Sequence, residues 1–415
     1  MKQKYKLYFL LLAIVMMAND AFFTWVGTRI HFPMWRQFLL VIGLIILSSI
    51  MSQAGAKHPY IKMILSKYKT IFGFVVILSF LTLIFHYFNP ARIGFAWYVY
   101  FSGIPYLIFP FLARRIGWSR SKLNFCFIIL GTFLSLGIFT DFLSGGMFTS
   151  MFLLEVTQEG GAFEAGRFCF LSTAPTIFSI YYCLCLMCCL FEAQSTKSLI
   201  LRYVLFGLAG FFIFGSLFCG SRQTLVALIV VFLAGIFGML KRGGTSIVVI
   251  ACVAVTAFFL FPTLQRYISA NQGIEDRYNA DAIREDKRNL TWKKGFQVCV
   301  SEVTPSRALI GDGVGQTAGK VAAGEEQSTH YENTFFARII DIGWFLGIWS
   351  LIIPVSFIWK YRKRAAEKKY MYLAFCVAYL FICCVSPNGA SGAVQLSLFI
   401  TLGFFLEDAR LEKYA

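Results

Sequence analysis

Charge is scarce in this chain. Only 14% of its 415 residues are Asp, Glu, Lys or Arg, against roughly 25% in soluble domains. Hydrophobic residues make up 58% and aromatics 18%, with 46 Phe. That composition excludes an ordinary soluble domain. Histidine is scarcer still, with four residues, and His330 alone lies beyond the first ninety or so. With no second histidine near it, a histidine-based metal site is not expected, and neither a metal nor a cofactor is assigned. The 12 cysteines do not make a disulfide framework. Most sit in apolar runs as small packing residues, and no CxxC pair is joined by a second pair or by histidines at zinc spacing. No internal repeat relates the two halves, which argues against a duplicated transporter. No small-residue cleavage site follows the first apolar run, which continues into Asn19 and Asp20. A retained span is therefore expected rather than a cleaved signal peptide.

What the chain has is long apolar runs. A membrane span needs about 20 apolar residues. Its backbone must pair internally, so helices are expected. Twelve runs qualify, near 7–25, 36–53, 70–88, 95–113, 123–142, 169–191, 202–219, 223–240, 245–263, 338–359, 370–386 and 393–406. The expected fold is all-α: a polytopic integral membrane protein of about 12 transmembrane helices. Residues 1–415 form a single transmembrane domain, with one large loop, 265–337, between helices 9 and 10.

The net charge of +17 reflects orientation in a bilayer rather than nucleic-acid binding. Of the 38 basic residues, 23 fall in the two tails and the even-numbered connections. The odd-numbered short connections hold only Arg29, Arg36, Arg92, Arg167 and Arg222. The positive-inside bias then puts both termini in the cytoplasm and the large loop outside. That loop carries ten acidic and nine basic residues. A large charged segment among many spans marks where chemistry is expected. Within it, 285–299 reads as a helix and the glycine-rich 310–324 as a loop. A smaller outer segment contains Met147–Leu154, which fits an interfacial helix.

Four places carry candidate chemistry. Arg222 lies in Gly220-Ser221-Arg222-Gln223-Thr224, between two apolar runs. It is either a snorkelling anchor or a bidentate ligand for a phosphate at headgroup depth. Arg288, with Arg284 as its neighbour and competitor, belongs to a charged helix whose other reading is a solvated face with i,i+4 pairs. His330, in Ser328-Thr329-His330-Tyr331-Glu332-Asn333, is an exposed loop histidine or a base near neutral pH; Glu332 is the alternative base. Arg167 precedes Phe168 to Pro175 at the start of a span, as an anchor or an anion ligand.

In this order, these places resemble the O-antigen polymerase and O-antigen ligase superfamily of bacterial envelope enzymes. The family pattern has an arginine ahead of a small-residue and proline stretch, as in Arg167 to Pro175. A serine-arginine pair then opens a span, as Ser221-Arg222 does. Next comes an outer loop with an arginine ahead of an aromatic and a glycine, followed by a Gly-x-Gly turn. Arg288, Trp292 and Gly295, then Gly311, Gly313 and Gly315, are similar. A histidine/asparagine motif then leads into Asp341-Ile342-Gly343-Trp344-Phe345-Leu346-Gly347. The resemblance covers roughly 166–347. Many members have a histidine directly before the asparagine, where this chain has Glu332, and that departure leans towards the polymerase.

The resemblance implies metal-independent glycosyl transfer at the periplasmic face of the bacterial inner membrane. Undecaprenyl-diphosphate-linked glycans would be donor and acceptor. Arg222 and Arg288 would hold the diphosphate, with Arg167 and Arg284 in reserve, and His330 or Glu332 would act as base. Beside the bilayer itself, a chain-length regulator is the further partner it implies. A ligase acting on lipid A–core and a lipid-linked oligosaccharide transporter are the alternatives.

Overall fold

A computed structural model describes residues 19–31, 120–157, 168, 170–171, 178–240, 288–312, 333–362 and 369–385, with isolated positions at 15, 73, 77, 80, 84 and 262. Every regular element among the described residues is helical. In order they are α1 (Asp20–Arg29), α2 (Arg120–Leu143), α3 (Met147–Thr157), α4 (Phe178–Ser195), α5 (Leu199–Phe218) and α6 (Arg222–Leu240), then α7 (Arg288–Phe296), α8 (Pro305–Ile310), α9 (Thr334–Arg362) and α10 (Lys369–Val385). A π-helical turn, Gln297–Ser301, follows α7. Three stretches are long and apolar enough to cross a membrane: Ser121–Leu143, Leu199–Phe218 and Thr334–Ile352. The apolar Ile180–Ser195, Arg222–Gly238 and Tyr370–Val385 are shorter.

The expected spans five, seven, eight and eleven coincide with α2, α5, α6 and α10 to within a few residues. Expected spans two, three, four, nine and twelve fall outside the described residues or touch them only at isolated positions. The sixth begins later than hydropathy suggests. Phe170 and Leu171 form a turn, Phe170 has φ +51°, and the helix starts at Phe178. The first is broken at Asn19 (φ −124°, ψ 44°), with α1 beginning at Asp20.

The tenth differs most. Inside α9, Gly343 has φ +84° and ψ +171°, which is not helical. A Cβ on Gly347 would lie 2.8 Å from the carbonyl carbon and oxygen of Arg338. Nine residues of straight helix would separate these two positions by about 13 Å. The chain therefore doubles back at Gly343, and residues 334–342 fold against the start of 344–362. Residues 344–362 alone, about 28 Å of helix, keep membrane-crossing length.

Side-chain contacts fix which helix ends lie together. At one end, Glu192 accepts from Asn124 Nδ2 at 2.7 Å and Ser121 Oγ at 3.1 Å, joining the start of α2 to the end of α4. Leu190 packs into the space left by Gly235, near the end of α6. The Phe191 ring lies 4.9 Å from that of Tyr372, near the start of α10. At the opposite end, α2 finishes, α4 starts, α5 finishes, α6 starts and α10 finishes. An aromatic cluster seals it: Phe142 meets Phe168 at 5.2 Å and Phe218 at 4.6 Å. Phe139 and Phe214 flank Phe218 at 5.8 and 4.9 Å. Each such aromatic pair contributes roughly 0.5–1.5 kcal/mol beyond its buried area. Between the ends, helices approach closely at small residues, as where Gly215 meets Ser135.

Candidate functional site at the Asp141 end

Asp141 organises this end of the bundle. It is fully buried (0% exposed). Its Oδ1 accepts from the backbone N–H of Phe148 at 2.8 Å and of Thr149 at 3.1 Å. These are orphan donors in the first turn of α3, where a carboxylate also suits the helix dipole. Its Oδ2 accepts from the Thr149 hydroxyl and, at 3.2 Å, from Phe170 N–H. One carboxylate thus joins α2, α3 and a strap, described at Phe168, Phe170 and Leu171, that precedes α4. The Phe170 ring fills the notch at Gly137, where an added Cβ would meet it at 2.2 Å. Leu171 carbonyl accepts from Phe22 N–H at 3.2 Å, bringing the first turn of α1 to the same strap.

The strap is tied on its other side as well. Phe168 N–H donates to the carbonyl of Phe218, the last residue of α5, at 3.4 Å. Two residues on, Gly220 (φ +61°) turns the chain into α6. Ser221 precedes α6, with its Oγ accepting from Thr224 Oγ1 at 2.8 Å. Arg222 is the first residue of that helix, partly exposed, and the first turn contains no acidic residue. The residue next to Arg167 in sequence is thus hydrogen-bonded to a residue four before Arg222. Beside Arg222, Gln223 is 4% exposed, and among the described residues neither its amide nitrogen nor its oxygen has a hydrogen-bond partner.

Asn333 brings the start of α9 to this end. Its Oδ1 accepts from the N–H of Phe335 at 2.8 Å and Phe336 at 3.2 Å. Its Nδ2 donates to Cys384 carbonyl at 2.7 Å, an orphan acceptor in the last turn of α10. The asparagine of the histidine/asparagine motif is therefore a helix cap that links two chain segments. Arg338 and Asp341, one helical turn apart, are both 2% exposed.

The described part of the polar segment docks on the corner at Gly343. Asp312 N–H donates to Ile340 carbonyl at 2.6 Å, and Arg307 pairs with Asp312 at 2.9 Å. A Cβ on Gly311 would lie 2.5 Å from the Asp341 carbonyl carbon, and one on Gly343 would lie 2.7 Å from the Leu309 carbonyl. Trp344 Nε1 donates to Cys299 carbonyl at 2.8 Å. Cys299 packs with Ile339 and Ile340, and burial pushes its thiol up to about 12. The first glycine of the Gly-x-Gly turn and the Asp-x-Gly-x-x-Gly run, some thirty residues apart in sequence, thus meet backbone to backbone. That contact explains their glycines by close approach.

Of the expected site residues, Arg222 is placed as described and Arg288 opens α7. Arg167, Arg284, His330 and Glu332 lie outside the described residues; Phe168 and Asn333, which are described, lie at the Asp141 end. Sequence reasoning did not single out Gln223 or Arg338. The available signal for Arg338 was a charged residue at the start of an apolar run, where ionisable groups are functional candidates by default. Among the described residues, no group of three or more His, Cys, Asp or Glu could hold a metal ion. Comparison with models of known protein families and with curated proteins finds no match for this chain.

Proposed function

We propose that this chain is a glycosyltransferase of the O-antigen polymerase and ligase type, acting as the polymerase. It joins undecaprenyl-diphosphate-linked repeat units at the outer face of a bacterial inner membrane. The observation that carries this reading is the setting of Arg222. It is a cation on the positive N-terminal turn of α6 with no acid in that turn. The strap beside Arg167 is tied four residues upstream. Arg222 sets a planar guanidinium beside the backbone N–H donors that open α6, a combination that suits the oxygens of a lipid-linked diphosphate at headgroup depth.

In this reading a sugar hydroxyl of the acceptor attacks the anomeric carbon of the donor. The bond from that carbon to the diphosphate oxygen breaks, and undecaprenyl diphosphate leaves with the electron pair. Arg222 and Arg288 stabilise the growing negative charge, assisted by Arg167 or Arg284. The hydroxyl proton passes to His330 or Glu332. The Asp141 end then faces the periplasm. The opposite end carries the basic positions Arg120, Lys122, Lys197, Arg202 and Lys369, as the positive-inside bias requires of a cytoplasmic face. Both termini are cytoplasmic, and the segment 265–337 is periplasmic. A transporter would need charges lining a central cavity within the spans. Asp141 and Glu192 instead have their hydrogen bonds filled by neighbouring helices, which supports the enzyme over the transporter.

The test is deletion of the gene followed by gel analysis of the surface glycan. A product one repeat unit long is expected. Polymer accumulating away from lipid A would assign the ligase instead, and an unchanged ladder would overturn both.

A further inference from the structure

We propose that the outer segment around residues 296–310 is an interfacial platform that inserts apolar side chains into the lipid leaflet at the Asp141 end. The segment is polar by composition, yet its described part leaves apolar residues uncovered. Phe296 is 56% exposed and Leu309 71%, with Val300 and Ile310 also exposed. Phe296 and Val300 are one turn apart, next to Cys299, which faces inward onto Ile339 and Ile340. One side of this turn is thus docked on α9 and another is open.

The occupant of the open side follows from what it adjoins. Leu309 touches the Gly343 corner through its backbone, and two residues later Phe345 is 57% exposed on the stretch 344–362. Ile352 on the same stretch is also exposed, and the run Thr334–Ile352 that holds both is long and apolar enough, by length and composition, to cross a membrane. The apolar patch on the outer segment thus adjoins the exposed apolar side of a candidate membrane helix. The exposed Lys293 and Lys294 stand just before Phe296, where ammonium groups at the interface meet lipid phosphates. Apolar residues beside a basic pair are the pattern of an interfacial helix, with its apolar side about 5–10 Å into the headgroup boundary. A protein partner would need a patch of its own against this side, whereas the bilayer is already there.

The test places a benzophenone amino acid, one position at a time, at Phe296, Leu309 and Glu302 of the full chain in phosphatidylethanolamine–phosphatidylglycerol vesicles. After irradiation, adducts are read by mass spectrometry. Lipid adducts are expected at Phe296 and Leu309 and are expected to be lost at the exposed, polar Glu302. These positions are solvent-accessible in the structure, so substitution there leaves packing intact. Absence of lipid adducts at Leu309, equal adducts at Glu302, or cross-links from Leu309 to a second polypeptide would each overturn the proposal. Lipid contact is read without any glycan substrate, so this outcome is separate from that of the polymerase reading.

Discussion

Arg222 is the residue on which the proposed chemistry turns. Arg222→Ala is expected to reduce glycan extension by about 10²–10³-fold, the usual cost of removing one preorganised stabiliser of a leaving anion, with the protein still in the membrane by immunoblot. Arg222→Lys should recover little, since an ammonium cannot reproduce a planar two-point contact. Full activity in Arg222→Ala would make it an interfacial anchor. For the base, His330→Ala is expected to abolish extension and Glu332→Gln to be mild. A histidine base must be neutral, so wild-type activity should decline as pH falls through about 6.5. A severe Glu332→Gln beside a mild His330→Ala would move the role to the glutamate. Arg222 was legible because a charged residue between two apolar runs stands out. Gln223 was not. A glutamine at the start of an apolar run reads as a boundary residue, and only packing shows that its amide is buried without a partner among the described residues.

At the scale of elements, hydropathy located α2, α5, α6 and α10 because the apolar run and the helix end at the same residues. It ran spans through Phe170 and Asn19 because neither breaks the apolar pattern around it, although Phe170 has φ +51° and Asn19 is non-helical. Phe170 is held out of the helix by a buried carboxylate and a glycine notch, contacts from distant parts of the chain that no local pattern encodes. The corner at Gly343 was hidden for the same reason, since Ile342 and Trp344 on either side of it continue the apolar run. Two substitutions test these junctions by thermal unfolding in detergent. Asp141→Ala strands the backbone donors of Phe148 and Thr149, while Phe170 N–H keeps Thr149 Oγ1 as an acceptor at 3.2 Å, and should cost roughly 1–3 kcal/mol for each donor left unpaired. Asp141→Asn retains part of the cap and should be milder. Gly347→Ala drives a methyl into the Arg338 carbonyl at 2.8 Å and should cost about 1–3 kcal/mol as overpacking. An unchanged midpoint in Gly347→Ala would contradict the doubled-back corner.

For the whole molecule, described residues from three of these sequence places lie at one end of a helix bundle. Phe168, Ser221-Arg222 and Asn333 are far apart in sequence, and the antiparallel order of α4, α5, α6 and α10 returns each to the same side. Sequence order alone could state that these places recur together but not that the folding brings them to one end. In the proposed topology, sidedness is set by the distribution of basic residues. A cysteine at Ser301 should react with an impermeant thiol reagent in intact cells, and one at Ala365 should not. Native Cys299 should add little background near pH 8, because burial holds its thiol at about 12. The reverse labelling pattern would invert the topology. The most direct measurement of the central claim uses the purified full chain in liposomes with undecaprenyl-diphosphate-linked repeat units and a metal chelator. Lipid-linked chains of two or more repeats should form, with one undecaprenyl diphosphate released per bond made, and Arg222→Ala should form almost none. Failure of the wild type to lengthen the glycan, or equal lengthening by Arg222→Ala, would contradict the account.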